Sequence, residues 1–332
     1  MSTAAAGSRV DGRTVTDRSD LPVIIVPAHD EGATIATGMT MLLEHAGPED
    51  FRVVVVCNGC TDDTAQRARA VAANTPVLVD VLEVGVASKS AALRAAEALV
   101  LGFPRLYLDA DVLCRTTTAR ALLAAVAQRA DVAVPTRILD LADAGVLARA
   151  YYLTWAQLPW VQGQLSGRGA YALNERARTS FIAFPEAVAD DRFATSRVTR
   201  ERAVIIEEPL VIRPPQNLLD VVRVRSRIYA GGVTVDAATH DLNFTERLRI
   251  LFRLATVPAH LPGLVVFAVT TLAAKTLALR AVRRDTVAWS RDTRRGIPAD
   301  AELRGLGPDL DPLTVMGHVF QGSRRDDAGQ HR

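Results

Sequence analysis

The sequence predicts an α/β fold: a mostly parallel sheet with helices on both faces, followed by a C-terminal helical segment associated with a membrane. From Leu21, short β-branched runs alternate with alanine-rich segments of helical periodicity. This alternation is typical of parallel strands joined by crossover helices. The membrane segment is predicted from one long apolar run near the C-terminus. With 332 residues, of which 49% are hydrophobic, the chain is long enough to bury the core of such a domain.

Five strands and four helices are predicted in the first half of the chain. The strands are Val23–Val26, Val53–Val56, Val77–Leu82, Leu106–Leu108 and Val132–Val134. The helices are Thr34–His45, Asp62–Ala73, Lys89–Val100 and Thr118–Arg129. Thr61 is predicted to cap the second helix, because its hydroxyl can accept a hydrogen bond from an unpaired amide at the helix start.

After about residue 150 the pattern becomes irregular. An aromatic stretch leads to a glycine-rich turn that ends at Gly169, and an acidic turn follows at Asp190 and Asp191. Irregular segments often carry acceptor sites. A further strand, Val204–Ile212, precedes a basic helix with three arginines: Arg223, Arg225 and Arg227.

Composition excludes several classes of protein. A net charge of +2 is small for this length and gives no reason to expect a nucleic-acid partner. Three cysteines, an odd number, argue against a secreted fold held by disulfides and favour a reducing compartment. The first twenty residues contain no apolar run and are predicted to form a flexible arm, not a signal peptide. We therefore expect the domain to face the cytoplasm.

The strongest local signal is an apolar strand, Leu106–Leu108, that ends in two carboxylates, Asp109 and Asp111. In open α/β sheets, ligands bind beyond the carboxyl ends of the strands. Two hard oxygen ligands in that place suit Mg²⁺ or Mn²⁺, and such an ion can bridge to a diphosphate. For so short a motif, the alternative is a solvated turn.

Four polar clusters follow successive predicted strands, at residues 26–31, 58–64, 87–93 and 109–111. Because the carboxyl ends of parallel strands meet at one rim, the four clusters predict a nucleotide site there. Charge-assisted hydrogen bonds from Lys89 and Arg227 would suit the diphosphate. A dehydrogenase is disfavoured, since no Gly-x-Gly-x-x-Gly motif follows the first strand.

As a set, these motifs resemble those of the family 2 glycosyltransferases, inverting enzymes of the fold known as GT-A, over roughly Leu21 to Gly232. The resemblance implies a GT-A-like nucleotide-diphospho-sugar transferase fold of the bacterial type with a membrane-associated C-terminal region. It also implies a nucleotide-sugar donor, a sugar or lipid-linked hydroxyl acceptor, and Mn²⁺ or Mg²⁺ held by Asp109 and Asp111. The substrate-binding positions are Pro27, Ala28, His29, Glu31, Asn58, Asp63, Lys89, Asp109, Gly169 and Arg227.

Asp190 and Asp191, preceded by Phe184 to Glu186, resemble the acidic motif that carries the family's catalytic base. The implied mechanism is a single displacement, in which the base takes the proton of the acceptor hydroxyl. The spacing leaves both aspartates open as the base, and we favour Asp190. Helix capping is the structural alternative for both residues.

Two features narrow the prediction further. Val224, Arg227 and Ile228 stand where processive synthases have glutamine, arginine and tryptophan, so we expect a non-processive enzyme. Cys57 and Cys60 have the spacing of a redox or zinc site, but zinc needs more ligands and Cys114 is the only other cysteine.

Two other functions fit parts of the pattern. A strand ending in Asp109 and Asp111 also suits a phosphatase or phosphotransferase of the haloacid dehalogenase type. That nucleophile, however, normally follows the first strand of its domain, and Leu113 stands where its threonine is expected. The second alternative is a catalytically silent membrane-bound scaffold, suggested by Cys57 and Asn58 in the second motif.

The predicted organisation has four parts: a flexible arm at residues 1–20, the GT-A domain at 21–235, membrane-associated helices at 240–282 and a polar tail at 283–332. An amphipathic helix is predicted at Leu242 to Leu254. The apolar run from Val257 to Leu279 is long enough to span a bilayer, lie on it or form a buried helical hairpin. We expect the protein at the cytoplasmic face of the cell membrane, in cell-envelope or polysaccharide glycan synthesis.

Overall fold

A computed structural model describes residues 20–186, 189–233 and 244–283, and within these ranges it confirms the α/β prediction. The strands are β1 Val23–Ala28, β2 Arg52–Asn58, β3 Val79–Val84, β4 Arg105–Leu108, β5 Val132–Leu139, β6 Ala170–Leu173 and β7 Ala203–Ile212. The helices are α1 Ile35–Leu43, α2 Thr64–Ala72, α3 Lys89–Glu97, α4 Thr116–Gln128, α5 Val146–Ala156, α6 Pro159–Gln162, α7 Glu175–Thr179, α8 Asp190–Thr195, α9 Leu218–Val233, α10 Phe244–Ala255 and α11 Leu261–Arg283. Short 3-10 turns lie at Arg200–Arg202 and Pro258–His260.

The described strands form one sheet in the order β3-β2-β1-β4-β6-β5-β7. β1 pairs in parallel with β2 and β4, β2 with β3, and β5 with β7. β6 runs antiparallel to both β4 and β5. The prediction of a mostly parallel sheet is therefore confirmed. β6 itself was not predicted, because four residues after a glycine carry too little periodicity to stand out.

Apolar side chains fill both faces of the sheet. In β1, Ile24 and Val26 belong to one buried cluster, with side chains of α1, α2 and α4. Val23 and Ile25 belong to the opposite cluster, with side chains of α3, α7 and α8. This alternation follows from the period of two along a strand. Helices thus cover both faces, as the uninterrupted valine-rich strands predicted.

The start of α2 differs from the prediction. The helix begins at Thr64, after Asp63, and the carboxylate of Asp62 accepts a hydrogen bond from the Thr64 amide at 3.1 Å. Thr61 does not cap the helix, because Asp63 occupies the N-cap position and the Thr61 hydroxyl donates to the Asp30 carboxylate at 3.2 Å. The neighbouring strand, β3, lies two residues further along the chain than predicted at both ends.

The aromatic stretch predicted as irregular is the helix α5. Tyr151, Tyr152 and Trp155 are buried there and contribute to the core that α5 shares with α9 and α11. Their spacing of one and four residues places them on one face of a helix. The expectation that this stretch is irregular is therefore wrong, although its helical spacing is visible in the sequence, and its predicted part in acceptor binding stays a prediction.

The C-terminal apolar run forms one continuous helix, α11, after a 3-10 turn. Pro262 lies in the first turn of α11, where proline is tolerated because the missing amide has no partner there. The helix is long and apolar enough to cross a membrane by length and composition, and 17% of its most apolar stretch is buried. The low burial excludes the buried hairpin. Residues 1–19, 234–243 and 284–332, which contain most of the arm and of the tail, lie outside the described residues.

Candidate active site

The predicted strand-end clusters meet at one rim of the sheet. His29 Nδ1 lies 2.6 Å from the carbonyl oxygen of Asn58, and Asp30 Oδ1 accepts the Thr61 amide at 2.6 Å. These two contacts join the loop after β1 to the loop after β2. The Asn58 side chain, in the amide orientation that satisfies both partners, donates to the Ala28 carbonyl at 2.7 Å and accepts from the Ser88 amide at 3.2 Å. The loop before α3 is thereby tied to the same rim.

Lys89, the first residue of α3, lies between two aspartates of the rim. Its Nζ is 2.6 Å from Oδ1 of Asp109, after β4, and 2.8 Å from Oδ1 of Asp190, at the start of α8. Burial opposes the charged form of Lys89, but the two carboxylates raise its pKa well above the usual value. Lys89 is therefore a fixed cation that holds together two segments 81 residues apart in the chain.

Asp109 and Asp111 are the residues that could hold a divalent cation. Asp109 is anchored through its amide, which donates to the Gly169 carbonyl at 2.9 Å, and its side chain is 40% exposed. Among the described residues, no donor contacts its second oxygen, Oδ2, which leaves that oxygen for a cation. Asp111 is half-buried two residues later. Two carboxylates on a half-open rim fit Mg²⁺ or Mn²⁺, which bind hard oxygen ligands.

Gly169 is needed next to this pair for two reasons. Its φ is +77°, a backbone conformation that side chains with a Cβ rarely adopt. A Cβ there would also lie 2.7 Å from Cγ1 of Val112, in the loop that carries Asp111. Gly169 therefore allows β6 to pack closely against the loop that carries Asp109 and Asp111. Its predicted contact with the substrate stays a prediction.

A second group of possible metal ligands lies on the nucleotide side of the rim. His29, Asp30 and Cys60 each offer one ligand atom, and these atoms lie within 4.8 Å of one another. Sequence spacing pointed to His29 and Cys60 separately and missed Asp30. Cys57 does not join the group: it is buried, and burial raises the pKa of its thiol to about 12, which leaves no reactive thiolate.

Asp190 and Asp191 occupy the first turn of α8 but differ in their surroundings. Asp190 is 5% exposed, and its oxygens bind Lys89 Nζ and the hydroxyl of Tyr171, which donates at 2.9 Å. Asp191 is half-buried and accepts the backbone amides of Gly167 and Arg192. Burial and the neighbouring Asp190 raise the pKa of Asp191. Both oxygens of each aspartate accept hydrogen bonds from protein donors, so these contacts alone do not decide between the two, and the preference for Asp190 as the base stays a prediction.

The other predicted positions have structural partners of their own. Pro27 and Ala28 are buried at the end of β1, and Asn58 is 1% exposed. The carboxylate of Glu31 accepts the Thr34 hydroxyl at 2.7 Å, and Asp63 pairs with Arg67 at 2.8 Å. Arg227 is half-buried on α9. Substrate contact at these positions stays a prediction.

Two residues whose contacts the sequence did not predict organise the site. Tyr171, on β6, fixes Asp190. Arg94, on α3, donates to the Phe184 carbonyl at 3.1 Å and to Glu186 at 3.2 Å. Arg94 thereby holds the segment that precedes the acidic pair against the helix that carries Lys89. Neither role has a local signal, since the partners are at least 19 residues away in the chain.

Comparisons with known proteins bear on the family match and on the fold. Residues 23–171 match the family model described as Glycosyl transferase family 2. No curated protein matches the chain. The mannosyltransferase PcManGT from Pyrobaculum calidifontis, solved with GDP-Man and Mn²⁺, is similar over 81% of this chain and 76% of its own, with 19% identity and a TM-score of 0.52.

Two further solved structures are similar. TarS 1-349 from S. aureus covers 80% of this chain and 88% of its own, with 17% identity and a TM-score of 0.46. Glucosyl-3-phosphoglycerate synthase from Mycobacterium tuberculosis covers 69% of this chain and 86% of its own, with 17% identity and a TM-score of 0.48. Residues 23–171 therefore match the glycosyl transferase family 2 model, the chain has a GT-A-like fold, and the two findings together support a glycosyltransferase.

Proposed function

We propose that the protein transfers one sugar from a nucleotide-diphosphate donor to a hydroxyl acceptor, with inversion and without processive polymerisation. The observation that carries this proposal is the rim cluster, in which Lys89, Asp109 and Asp190 are in contact and Asp111 lies two residues from Asp109. A cation and a pair of metal-binding carboxylates at the end of β4 suit a diphosphate that leaves the sugar.

The donor is expected to bind with its diphosphate at this cluster. Asp109 and Asp111 would hold Mn²⁺ or Mg²⁺, and such an ion, when bound, neutralises charge on a leaving diphosphate. Lys89 adds a positive charge on the same rim, kept in place by Asp190. The nucleoside is expected to bind at the carboxyl ends of β1 and β2, near His29 and Asn58. In the sheet these two strands lie on the side of β4 that faces away from β6.

Asp191 is the proposed base. A base must reach the acceptor hydroxyl, and Asp191 is the more exposed of the two aspartates. The two backbone amides on its oxygens fix its orientation. Its raised pKa also makes it a stronger proton acceptor than an ordinary aspartate. In this assignment Asp190 is a positioning residue that holds Lys89.

A screen of nucleotide sugars tests the proposed function. The full chain is incubated with UDP- and GDP-sugars, and release of nucleoside diphosphate is measured with Mn²⁺ and with excess EDTA. We expect Mn²⁺-dependent release from at least one donor. A scaffold would give no release and no metal-dependent stabilisation by nucleotide. A phosphatase of the haloacid dehalogenase type would instead release inorganic phosphate and be trapped by beryllofluoride at Asp109, and either result would reject the proposal.

We further propose that α10 and α11 lie on a membrane surface. One stripe of α11 is apolar and exposed, with Leu261, Val265, Val269, Leu272 and Leu279 at helical spacing. The opposite stripe packs on α5 and α9, and Gly263 is so close to α5 that a Cβ there would lie 2.4 Å from the Thr154 hydroxyl. A helix packed in this way cannot cross a bilayer without bringing the arginines of α5 and α9 into it. Surface contact, at the cytoplasmic face, therefore fits better than a span.

Vesicle flotation tests the surface contact. Phe252 of α10 is 71% exposed and Val265 of α11 is 62% exposed, so the double variant Phe252→Asp/Val265→Asp removes apolar contact without touching the core. We expect the natural chain to float with vesicles of phosphatidylcholine and phosphatidylglycerol, and the double variant to stay in the soluble fraction. The control is Thr256→Asp, which adds a charge at an exposed polar position. Equal flotation of all three proteins would contradict the proposal.

A further inference from the structure

Three arginines near the candidate base have no counter-ion in the part of the chain that the structure describes. Arg137 is on β5, Arg168 is in the turn before β6, and Arg225 is on α9. Within the described residues none of the three forms an ion pair. A guanidinium that is largely removed from water without an opposite charge is costly for the fold. An anion from outside the chain would offset this cost.

Arg168 has a structural explanation. Its side chain is buried, and its nitrogens donate to the carbonyl oxygens of Gln164 at 2.6 Å, Pro135 at 2.8 Å and Gln162. Through these three hydrogen bonds the guanidinium of Arg168 stabilises the turn between α6 and β6. Arg168 thus adds positive potential to the region but has few donors left for a ligand.

Arg137 and Arg225 are different, because both approach one aromatic ring and keep donors available. The guanidinium carbon of Arg137 lies 4.5 Å from the ring centroid of Trp155, and that of Arg225 lies 5.4 Å from it. Arg137 donates to the carbonyls of Gly167 and Val161. Arg225 donates from one terminal nitrogen to the Tyr229 hydroxyl at 3.4 Å, and its Nε is buried with no hydrogen-bond partner among the described residues. Burial, together with Arg168 and Arg225, lowers the pKa of Arg137 to about 9. The two guanidinium groups therefore repel each other, and each is stabilised by a cation–π contact with the Trp155 ring.

The position of this pair relative to the base is set by one residue, Gly167. Its amide donates to the carboxylate of Asp191, and its carbonyl accepts from Arg137 at 2.8 Å. The pair also lies on the β5 side of the sheet, beyond β6, whereas the donor rim is formed by β1, β2 and β4. A ligand at Arg137 and Arg225 would consequently lie next to the base and away from the donor nucleotide.

We propose that Arg137 and Arg225, held against Trp155, bind a phosphate group of the acceptor substrate. This inference rests on the proposed function, since it names the acceptor class for the same site. The planar fork of a guanidinium matches two phosphate oxygens and forms charge-assisted hydrogen bonds with them. A phosphate there would pair with the two cations and hold the acceptor with a hydroxyl directed to Asp191. Lys275, whose Nζ lies 5.8 Å from the Tyr229 ring beside Arg225, adds a third positive charge on the side of α11.

Binding of inorganic phosphate tests the inference without donor, divalent cation or turnover. The full chain is titrated with phosphate in EDTA at constant ionic strength, and the melting temperature is recorded. We expect phosphate to stabilise the natural chain, and Arg225→Met to weaken phosphate binding by about tenfold or more. The matched control is Arg223→Met, on the same helix, because Arg223 is 71% exposed and pairs with Asp220. This control should bind phosphate like the natural chain.

A second readout separates binding from a purely structural role. Without phosphate, Arg225→Met should melt at or above the temperature of the natural chain, because it removes a cation that has no counter-ion. A role in packing alone would lower the melting temperature and leave phosphate binding unchanged, which would overturn the proposal. If Arg225→Met fails to fold, Arg225→Lys keeps the charge but loses the fork, and intermediate affinity is expected.

The source of the phosphate is distinguished by a vesicle arm. Phosphatidylcholine vesicles with and without phosphatidic acid are floated with the natural chain and with the Arg225 and Arg223 variants. Phosphate binding in solution that depends on Arg225 supports a soluble phosphorylated acceptor. Arg225-dependent binding only to phosphatidic acid supports a lipid-linked phosphate. If binding of neither phosphate nor phosphatidic acid depends on Arg225, the inference is wrong. If phosphate binding depends on Arg225 but no nucleotide sugar is cleaved, only the proposed donor chemistry is rejected.

Discussion

Asp111→Ala is expected to lower the rate of sugar transfer by about a thousandfold or more, because it removes one of two carboxylates that would hold the metal at the leaving diphosphate. Asp111 is half-buried at the rim and not part of the apolar core. The variant should therefore fold normally. Transfer is measured at saturating donor with Mn²⁺, and folding is followed by the melting temperature.

A matched control isolates the metal role of Asp111 from the loss of a negative charge near the rim. Glu83, on the edge strand β3, is exposed and pairs with Arg69 away from the Asp109 loop. Glu83→Ala should retain transfer and metal dependence. In contrast, Asp111→Ala should lose the extra thermal stability that nucleoside diphosphate confers in Mn²⁺. Unchanged transfer by Asp111→Ala would mean that the carboxylate does not bind the metal.

Asp191→Asn is expected to lower kcat by about 100- to 10,000-fold, since an amide cannot accept the proton of the acceptor hydroxyl. Donor KM should change little, because we propose that Asp191 faces the acceptor and does not contact the donor. Asp190→Asn should show the opposite pattern. Loss of its charge frees Lys89 on one side, so the main effect is expected on donor KM and on the melting temperature. A reversal of the two patterns would identify Asp190 as the base.

The pH profile gives an additional check on Asp191. The base must be ionised before it can accept a proton, so activity rises as the pH increases through its pKa. Because burial and Asp190 raise the pKa of Asp191, the acid limb of kcat should lie at higher pH than for an ordinary aspartate. An acid limb that persists unchanged in Asp191→Asn would assign the titration to another group.

The sheet and its rim could be predicted from the sequence because their signals are local. β-branched runs such as Val53 to Val56 define buried strands, and polar clusters come directly after them. Since parallel strands end at one edge, the meeting of His29, Asn58, Lys89 and Asp109 follows from the order of elements alone. The site was thus predicted as a set of loops, before any contact between side chains was known.

The partners within the site could not be predicted in the same way. Lys89 pairs with Asp190, 101 residues later in the chain, and no spacing rule connects the two. The distinction between Asp190 and Asp191 depends on Tyr171, which lies on the unpredicted strand β6. Arg137 and Arg225 both approach the ring of Trp155, which lies on α5, and α5 was predicted as irregular.

Anomalous scattering from Mn²⁺ in crystals soaked with a nucleoside diphosphate tests the central claim most directly. The described part of the chain offers two groups of possible metal ligands, so the position of the ion shows which group binds the metal. We predict a peak bonded to Asp109 and Asp111 and to the diphosphate, with Lys89 beside it. A peak at His29, Asp30 and Cys60 instead, with the Asp109 loop empty and the nucleotide bound elsewhere, would contradict the metal-assisted transfer proposed for this rim.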